Sequence, residues 1–173
     1  LDIAAARLEA ALSAAQALRE TGHRFVVAPV PTVDGPIIRR VGGFAVAVYP
    51  HVTGDSFGFG HRPEADHATA VLDMVIEVHG APARVRDIAP LDDFAIPHRD
   101  QVEAALGGDA VDGAAGPYAL GTARLVTRHG PAIRAALHRY DELVSAALSA
   151  RGRAVLTHGE PHPGNTMRTD AGL

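Results

Sequence analysis

The residues with the clearest chemical potential lie together near the end of the chain, in the segment His158-Gly159-Glu160-Pro161-His162-Pro163-Gly164-Asn165. A carboxylate such as Glu160 can orient and deprotonate an attacking hydroxyl group, and an amide oxygen such as that of Asn165 can ligate Mg²⁺. Two prolines and two glycines in eight residues exclude a helix or a central strand. We therefore expect a fixed loop that presents His158, Glu160, His162 and Asn165.

The residue types in this segment suit phosphoryl transfer from a nucleotide. The reaction needs a carboxylate that accepts the proton of the attacking hydroxyl and a neutral oxygen ligand for Mg²⁺. The protein-kinase catalytic loop spaces these groups as H-x-D-x-x-x-x-N, and His158, Glu160 and Asn165 have the same offsets, with Glu in place of Asp. We therefore predict Glu160 and His158 as catalytic-loop residues, with Glu160 as the base and His158 mainly as scaffold, and Asn165 as the metal ligand.

The complete pattern H-G-[DE]-x-H-P-G-N resembles the aminoglycoside phosphotransferase family, the kinase-like enzymes that phosphorylate hydroxyl groups of small molecules. The resemblance implies an α+β, protein-kinase-like two-lobe fold with a mainly helical C-terminal lobe. It also implies ATP, or another nucleoside triphosphate, and Mg²⁺ as cofactors. The implied substrate is a small polar molecule with a hydroxyl group, for example an aminoglycoside-like antibiotic.

The elements that must position this loop follow the order of such a fold. Apolar residues at three- and four-residue spacing predict helices over 3–19, 64–79, 100–106, 118–128 and from Pro131 onward. Apolar runs between turn signals predict strands over 25–30, 37–40, 44–49 and 153–157, with the first two forming a hairpin and 44–49 buried. We divide the chain into a partial N-terminal α/β lobe (1–50), a hinge and linker (51–63) and a helical C-terminal lobe (64–173).

The segment that follows the third predicted strand is similar to hinges of this family, with the pattern V-Y-P-x-V-x-G over residues 48–54. In that resemblance the hinge backbone reads the adenine edge, which gives five nucleotide-site candidates: Val48, Tyr49, Pro50, His51 and Val52. Glu9 resembles the helix-borne Glu that pairs with a phosphate-binding lysine. The alternatives are an ordinary strand end stopped by Pro50 and a solvated helix carboxylate at Glu9.

Parts of the family pattern are not found among these residues. All 16 Lys+Arg positions are arginine, so the phosphate-binding lysine is missing. The lysine and its glycine-rich loop are expected before Leu1, and a second metal-binding Asp after Leu173. We therefore expect a fragment, truncated at both ends and inactive alone. Without its covering strands, we expect exposed apolar surface on Phe25–Val30 and Phe44–Val48 and weak stability.

Composition narrows the range of partners. Acidic residues outnumber basic ones by 20 to 16, which argues against a nucleic-acid partner. No apolar run approaches the roughly 18 residues needed to cross a bilayer, so no membrane partner is expected. The absence of cysteine excludes disulfides and thiolate zinc sites, and suits a cytoplasmic location. Four loop aspartates would suit an amine-bearing substrate or serve as turn residues: Asp92, Asp93, Asp109 and Asp112.

Two other interpretations of the same loop stay open. His158, Glu160 and His162 could hold Zn²⁺ or Fe²⁺ in a metal-dependent hydrolase. A non-catalytic binding module with a kinase-like shape would explain Glu160 in place of Asp as a sign of lost activity. His162 is expected to orient the loop by bonding to its backbone, with a substrate contact as the alternative. The other eight histidines are assigned no chemistry.

Overall fold

The computed structural model describes residues 3–60, 62, 64–108 and 116–173. The structure is of the α+β class: about half of the chain is helical, and the strands form small antiparallel sheets. Contacts divide the chain into two compact units, of which the first comprises Leu1–Leu91 and Val155–Leu173 and the second Asp92–Ala154. The candidate loop, the hinge segment and Glu9 all belong to the first unit. The predicted lobes remain a prediction.

Three helices organise the first unit: α1 (Ile3–Glu20), α2 (Ala65–His79) and α3 (Ala83–Arg86). The predicted helices at α1 and α2 are confirmed. The apolar core of this unit consists of Leu18, Val78, Ala81 and Val85, with Ala17, Phe25, Val26 and Leu156 packed against it. Because Leu156 lies two residues before the candidate loop, its packing against the core anchors the start of that loop.

Four short strands form two antiparallel pairs in the first unit. Strand β1 (Arg39–Val41) pairs with β2 (Phe44–Val46) across the Gly42-Gly43 turn, and β3 (Asp55–Ser56) pairs with β4 (Met167–Arg168). The predicted strand at Phe44 is thus confirmed over three residues. The predicted hairpin is wrong, because β1 pairs with the strand that follows it and not with residues 25–30.

The predicted strand over Phe25–Val30 is also wrong. The Arg19 guanidinium donates to the carbonyl of Val26 within this segment and to that of Arg24 just before it, each at 3.0 Å. Only Val30 makes a bridge, in which its N–H donates to the carbonyl of Val48 at 2.7 Å. A helix-borne arginine therefore satisfies backbone groups that the sequence pattern assigned to a neighbouring strand.

The apolar surface expected on these segments is present on Phe44–Val48, but on Phe25–Val30 only at Val27 and Val30, because Phe25 and Val26 pack against the core. The Phe44 side chain is 76% exposed and that of Val48 is 62% exposed, and Val27 and Val30 are also exposed. Strand β2 is therefore not the buried strand that its continuous apolar sequence predicted. The exposure itself confirms the expectation of uncovered apolar surface on this part of the unit.

The second unit consists of helices α4 (Arg99–Gly107) and α5 (Ala119–Ser149) and the segments around them. Helix α5 continues through Pro131, so the predicted break between two helices is wrong. Gly130 is buried there, close to the side chains of Leu106 and Arg134. Packing against α4 thus favours a continuous helix over the tendency of a proline to end it. None of the described helices is long and apolar enough to cross a membrane.

Charged contacts join the two helices of the second unit. Arg99 on α4 makes a two-pronged contact with Asp141 on α5, with N–O distances of 2.5 and 2.7 Å. This hydrogen bonding holds the pKa of Asp141 below its usual value.

Among the four loop aspartates, Asp92 and Asp93 accept hydrogen bonds from the backbone two residues ahead, as turn residues do. Asp109 and Asp112 lie outside the described residues.

The region before the candidate loop differs from its prediction. A 3-10 turn over Arg151–Arg153 follows α5, and the predicted strand over residues 153–157 does not form. After the loop, the chain is extended and forms β4. The loop is therefore held by the core contact of Leu156 on one side and by the pairing of β4 with β3 on the other.

Candidate active site

The candidate loop owes its shape to its glycines and prolines. Gly159 has a φ of +87°, in the left-handed region that favours glycine. Pro163 then begins a 3-10 turn that ends at Asn165. The N–H of Asn165 donates to the carbonyl of His162 at 2.9 Å, and that of Thr166 donates to the carbonyl of Pro163 at 3.0 Å. These bonds define a compact turn with Asn165 at its end.

Glu160 is presented to solvent, with 72% of its side chain exposed. Its Oε1 lies 3.5 Å from the Nε2 of His162. The Nδ1 of His162 accepts a hydrogen bond from the N–H of Gly164 at 2.9 Å, so the ring proton resides on Nε2 and faces the carboxylate. The expectation that His162 orients the loop through its backbone is confirmed, and the same ring also contacts the proposed base.

Asn165 is fixed by a hydrogen bond to the residue that carries that base. Its Nδ2 donates to the backbone carbonyl of Glu160 at 2.9 Å. Because a carbonyl can only accept, this contact assigns the orientation of the amide and leaves Oδ1 as its free acceptor. An exposed amide oxygen is the kind of ligand that Mg²⁺ takes, so Asn165 fits the predicted metal role.

His158 also bonds to the loop backbone. Its Nδ1 accepts a long hydrogen bond, of 3.4 Å, from the N–H of Glu160. The imidazole is exposed, and this contact supports the backbone that carries the carboxylate. The geometry is that expected of a scaffold residue. The structure thus brings His158, Glu160, His162 and Asn165 into one hydrogen-bonded loop.

The hinge candidates differ in their backbone bonding. The carbonyl of Val48 is occupied by the N–H of Val30 at 2.7 Å. Within the described part of the chain, no backbone-to-backbone hydrogen bond involves Tyr49, Pro50, His51 or Val52. The backbone carbonyl groups of these four residues, and the N–H groups of Tyr49, His51 and Val52, are therefore open to a ligand. Pro50 has no N–H.

Gly54 lies where the hinge segment approaches the strand that follows the candidate loop. It is the last residue of the V-Y-P-x-V-x-G pattern and precedes β3, which pairs with β4 just after Asn165. A Cβ atom at Gly54 would collide with the backbone carbonyl oxygen of Arg168 and would lie 2.9 Å from the Cγ of Met167. The glycine of the pattern is thus required for the close approach of the two segments.

Replacing Gly54 with Ala should destabilise the first unit by about 1–3 kcal/mol, because the new methyl group meets a backbone atom that cannot move alone. Chemical denaturation of the two proteins measures this difference. The matched control is Gly58→Ala, since a Cβ at Gly58 meets no heavy atom within 4 Å. Equal stability of the two variants would show that β3 and β4 do not approach as closely as described.

Glu9 has a structural partner in the first unit. Its Oε1 accepts a hydrogen bond from the backbone N–H of Ile37 at 2.9 Å, and the side chain is half-buried. It is therefore not the simply solvated carboxylate of the alternative interpretation. The contact joins α1 to the segment before β1. The pairing of Glu9 with a lysine stays a prediction.

His67 is a residue of the site that the sequence interpretation missed. Its side chain on α2 is only 2% exposed, and its Nε2 lies 3.0 Å from the Oγ1 of Thr166, the residue after Asn165. The Phe57 ring packs against it edge to face, with 4.4 Å between ring centroids. A sequence signal existed, because His67 continues the apolar stripe of α2 formed by Val71, Val75 and Val78. A polar side chain on a buried stripe requires a partner.

The described residues contain no group of three or more His, Asp or Glu side chains placed to hold a metal ion. Of the three ligands considered for a metal-dependent hydrolase, Glu160 and His162 are in contact, whereas His158 bonds to the loop backbone. The arrangement is thus a hydrogen-bonded loop with one exposed carboxylate and one exposed amide oxygen.

Comparison with known proteins finds a similarity over most of this chain. The chain is similar to Protein StrN of Streptomyces griseus, with 33% identity over 165 residues, which cover 88% of this chain and 49% of that protein. The chain therefore spans about half the length of this curated relative. No family model matches the chain. No solved structure matches it either.

Proposed function

We propose that the full-length protein is an ATP-dependent phosphotransferase that acts on a hydroxyl group of a small polar molecule. In this proposal it has the kinase-like two-lobe fold of the aminoglycoside phosphotransferase family. The observation that carries the proposal is the single loop that contains both the carboxylate of Glu160 and the amide of Asn165, joined by the 2.9 Å bond from Asn165 Nδ2 to the Glu160 carbonyl. We place the activity in the cytoplasm, which suits a chain without cysteine.

The proposed chemistry begins with the acceptor hydroxyl bound at Glu160. The carboxylate orients this hydroxyl and accepts its proton as the oxygen bonds to the γ-phosphorus of ATP and ADP leaves. The Nε2 of His162 lies 3.5 Å from this carboxylate. The amide oxygen of Asn165 would hold Mg²⁺, which neutralises the phosphate charge when bound.

The hinge segment supplies the proposed nucleotide site. Open backbone groups at Tyr49, His51 and Val52, and the carbonyl of Pro50, are suited to hydrogen-bond an adenine edge. The carbonyl of Val48 already accepts from Val30, so this residue would contribute its exposed side chain. Glu9 would complete the site through the phosphate-binding lysine of the family. This chain itself contains no lysine.

A screen of the full-length protein tests the proposal. The protein is mixed with ATP and Mg²⁺ and a panel of amino sugars and small alcohols, and ADP release and phosphorylated product are measured. We expect ADP release that depends on one acceptor class, with the phosphoryl group found on its hydroxyl. Nucleotide binding without turnover on any acceptor would instead favour the non-catalytic module. Zn²⁺ or Fe²⁺ retained through purification, with hydrolytic activity, would favour the metal-dependent hydrolase.

A further inference from the structure

The buried imidazole of His67 is not used by the chemistry proposed above. It lies on α2, 99 residues before its partner Thr166 in the sequence, and it contacts the end of the candidate loop. Burying an imidazole without a partner would be costly, whereas a leucine would fill similar space at no such cost. The presence of histidine therefore requires an explanation beyond filling the core.

The direction of the hydrogen bond can be assigned from the atoms involved. The Oγ1 of Thr166 lies 2.7 Å from the carbonyl oxygen of Pro163, which can only accept, so the hydroxyl proton points there. The Oγ1 of Thr166 must therefore accept the hydrogen bond from His67. It follows that the Nε2 of His67 carries a proton and is the donor. The result is a directed chain of two hydrogen bonds from His67 through Thr166 to Pro163.

This chain ends on the turn that holds Asn165. Pro163 is the first residue of that turn, and its carbonyl accepts from both the N–H and the hydroxyl of Thr166. A change at Thr166 therefore acts directly on the backbone that carries Asn165. Its effect on Glu160 is more remote, because Glu160 is linked to the turn through the Asn165 side chain.

We propose that His67 is a positioning residue that fixes the metal-ligating amide of Asn165 by donating to Thr166. In its kinetic consequences this inference rests on the proposed function; the hydrogen-bond chain itself does not depend on it. Without the donor, Thr166 keeps its bonds to Pro163 but loses its link to α2, so the turn and Asn165 with it become free to shift. The metal requirement should therefore change more than the affinity for the acceptor.

Two substitutions of His67 in the full-length protein separate positioning from packing. His67→Leu fills the space without a donor, and His67→Gln keeps an N–H near the position of Nε2. We expect His67→Leu to raise the Mg²⁺ concentration for half-maximal rate by at least about tenfold. This is the usual effect of losing a residue that orients a metal ligand. We expect His67→Gln to stay near the wild type. A purely structural role would lower the melting temperature without this difference in Mg²⁺ requirement.

A second readout is independent of catalysis. The NMR signals of the Asn165 side-chain amide should shift in His67→Leu and return toward wild-type positions in His67→Gln. If His67→Leu does not fold, Thr166→Val, which removes the hydroxyl, and Thr166→Ser, which keeps it, make the same comparison. Unchanged amide signals in the variants without the hydrogen bond would overturn the inference.

The two readouts distinguish failure of the inference from failure of the proposed function. Shifted amide signals in a protein that phosphorylates no acceptor would support the positioning role and reject the phosphotransferase. An active wild type with unchanged amide signals and unchanged Mg²⁺ requirement in His67→Leu would reject the positioning role alone. An inactive wild type with unchanged signals would reject both.

Discussion

Replacing Glu160 with Gln in the full-length protein should lower turnover by about 10²- to 10⁴-fold and leave the affinity for ATP nearly unchanged. The amide has the size of the carboxylate, so its carbonyl oxygen can occupy the position of Oε1, 3.5 Å from the Nε2 of His162. The loop should therefore keep its shape while losing the group that accepts the hydroxyl proton. Steady-state kinetics with saturating acceptor and a separate ATP-binding titration measure the two quantities.

Two further variants show whether the loss comes from the missing base. Glu160→Asp keeps the carboxylate and restores the residue of the kinase pattern, so it should lose much less activity than the amide. Glu77→Gln makes the same chemical change at an exposed position of α2 and should leave turnover unchanged. Full turnover by Glu160→Gln in a protein that phosphorylates its acceptor would contradict the role assigned to this loop.

The local features of the site could be predicted because they depend on neighbouring residues. The prolines and Gly159 determine the course of the loop, and the short offset between Glu160 and Asn165 lets the Asn165 side chain bond to the backbone of Glu160. The helices α1 and α2 were predictable for the same reason, since a regular apolar stripe along one segment is enough to indicate them. The backbone bond of His162 also spans only two residues.

The features that depend on distant residues could not be predicted. The sequence pattern of residues 25–30 is that of a strand, yet Arg19 satisfies one carbonyl group within it and one just before it. Proline at position 131 predicts a helix break, but packing of Gly130 near Leu106 on α4 accompanies a continuous helix. Tertiary contacts outweigh local preference at both places, and no local pattern reports them.

Three of the contacts that position the loop are made by residues outside it. Each of these residues is visible in the sequence, but its partner is known only from the fold. Leu156 packs into the core, β4 pairs with the strand after Gly54, and His67 bonds to Thr166. In the sequence, Gly54 is recognisable only as part of a hinge pattern. In the structure, its lack of a side chain permits β3 to approach β4. The hinge segment and the candidate loop are therefore parts of one arrangement within the first unit.

Replacing Asn165 with Ala in the full-length protein should raise the Mg²⁺ concentration for half-maximal rate by at least about tenfold and also lower the maximal rate. Removing a residue that hydrogen-bonds to a metal ligand typically lowers metal affinity about 10- to 100-fold. Removing the ligand itself should lower the affinity by at least as much. The substitution removes the amide oxygen proposed to hold the ion, and it also removes the bond from Nδ2 to the carbonyl of Glu160. Rate measurements over a series of Mg²⁺ concentrations at saturating ATP give both quantities.

Asn165→Asp separates these two losses, because a carboxylate is a good Mg²⁺ ligand but cannot donate to the carbonyl of Glu160. If the oxygen ligand matters most, this variant should need much less Mg²⁺ than Asn165→Ala. If the bond to Glu160 matters most, the two variants should be equally impaired, since the turn would be released in both. A wild-type Mg²⁺ requirement in Asn165→Ala would remove the residue from the proposed metal site, even if its hydrogen bond to Glu160 still supported the loop.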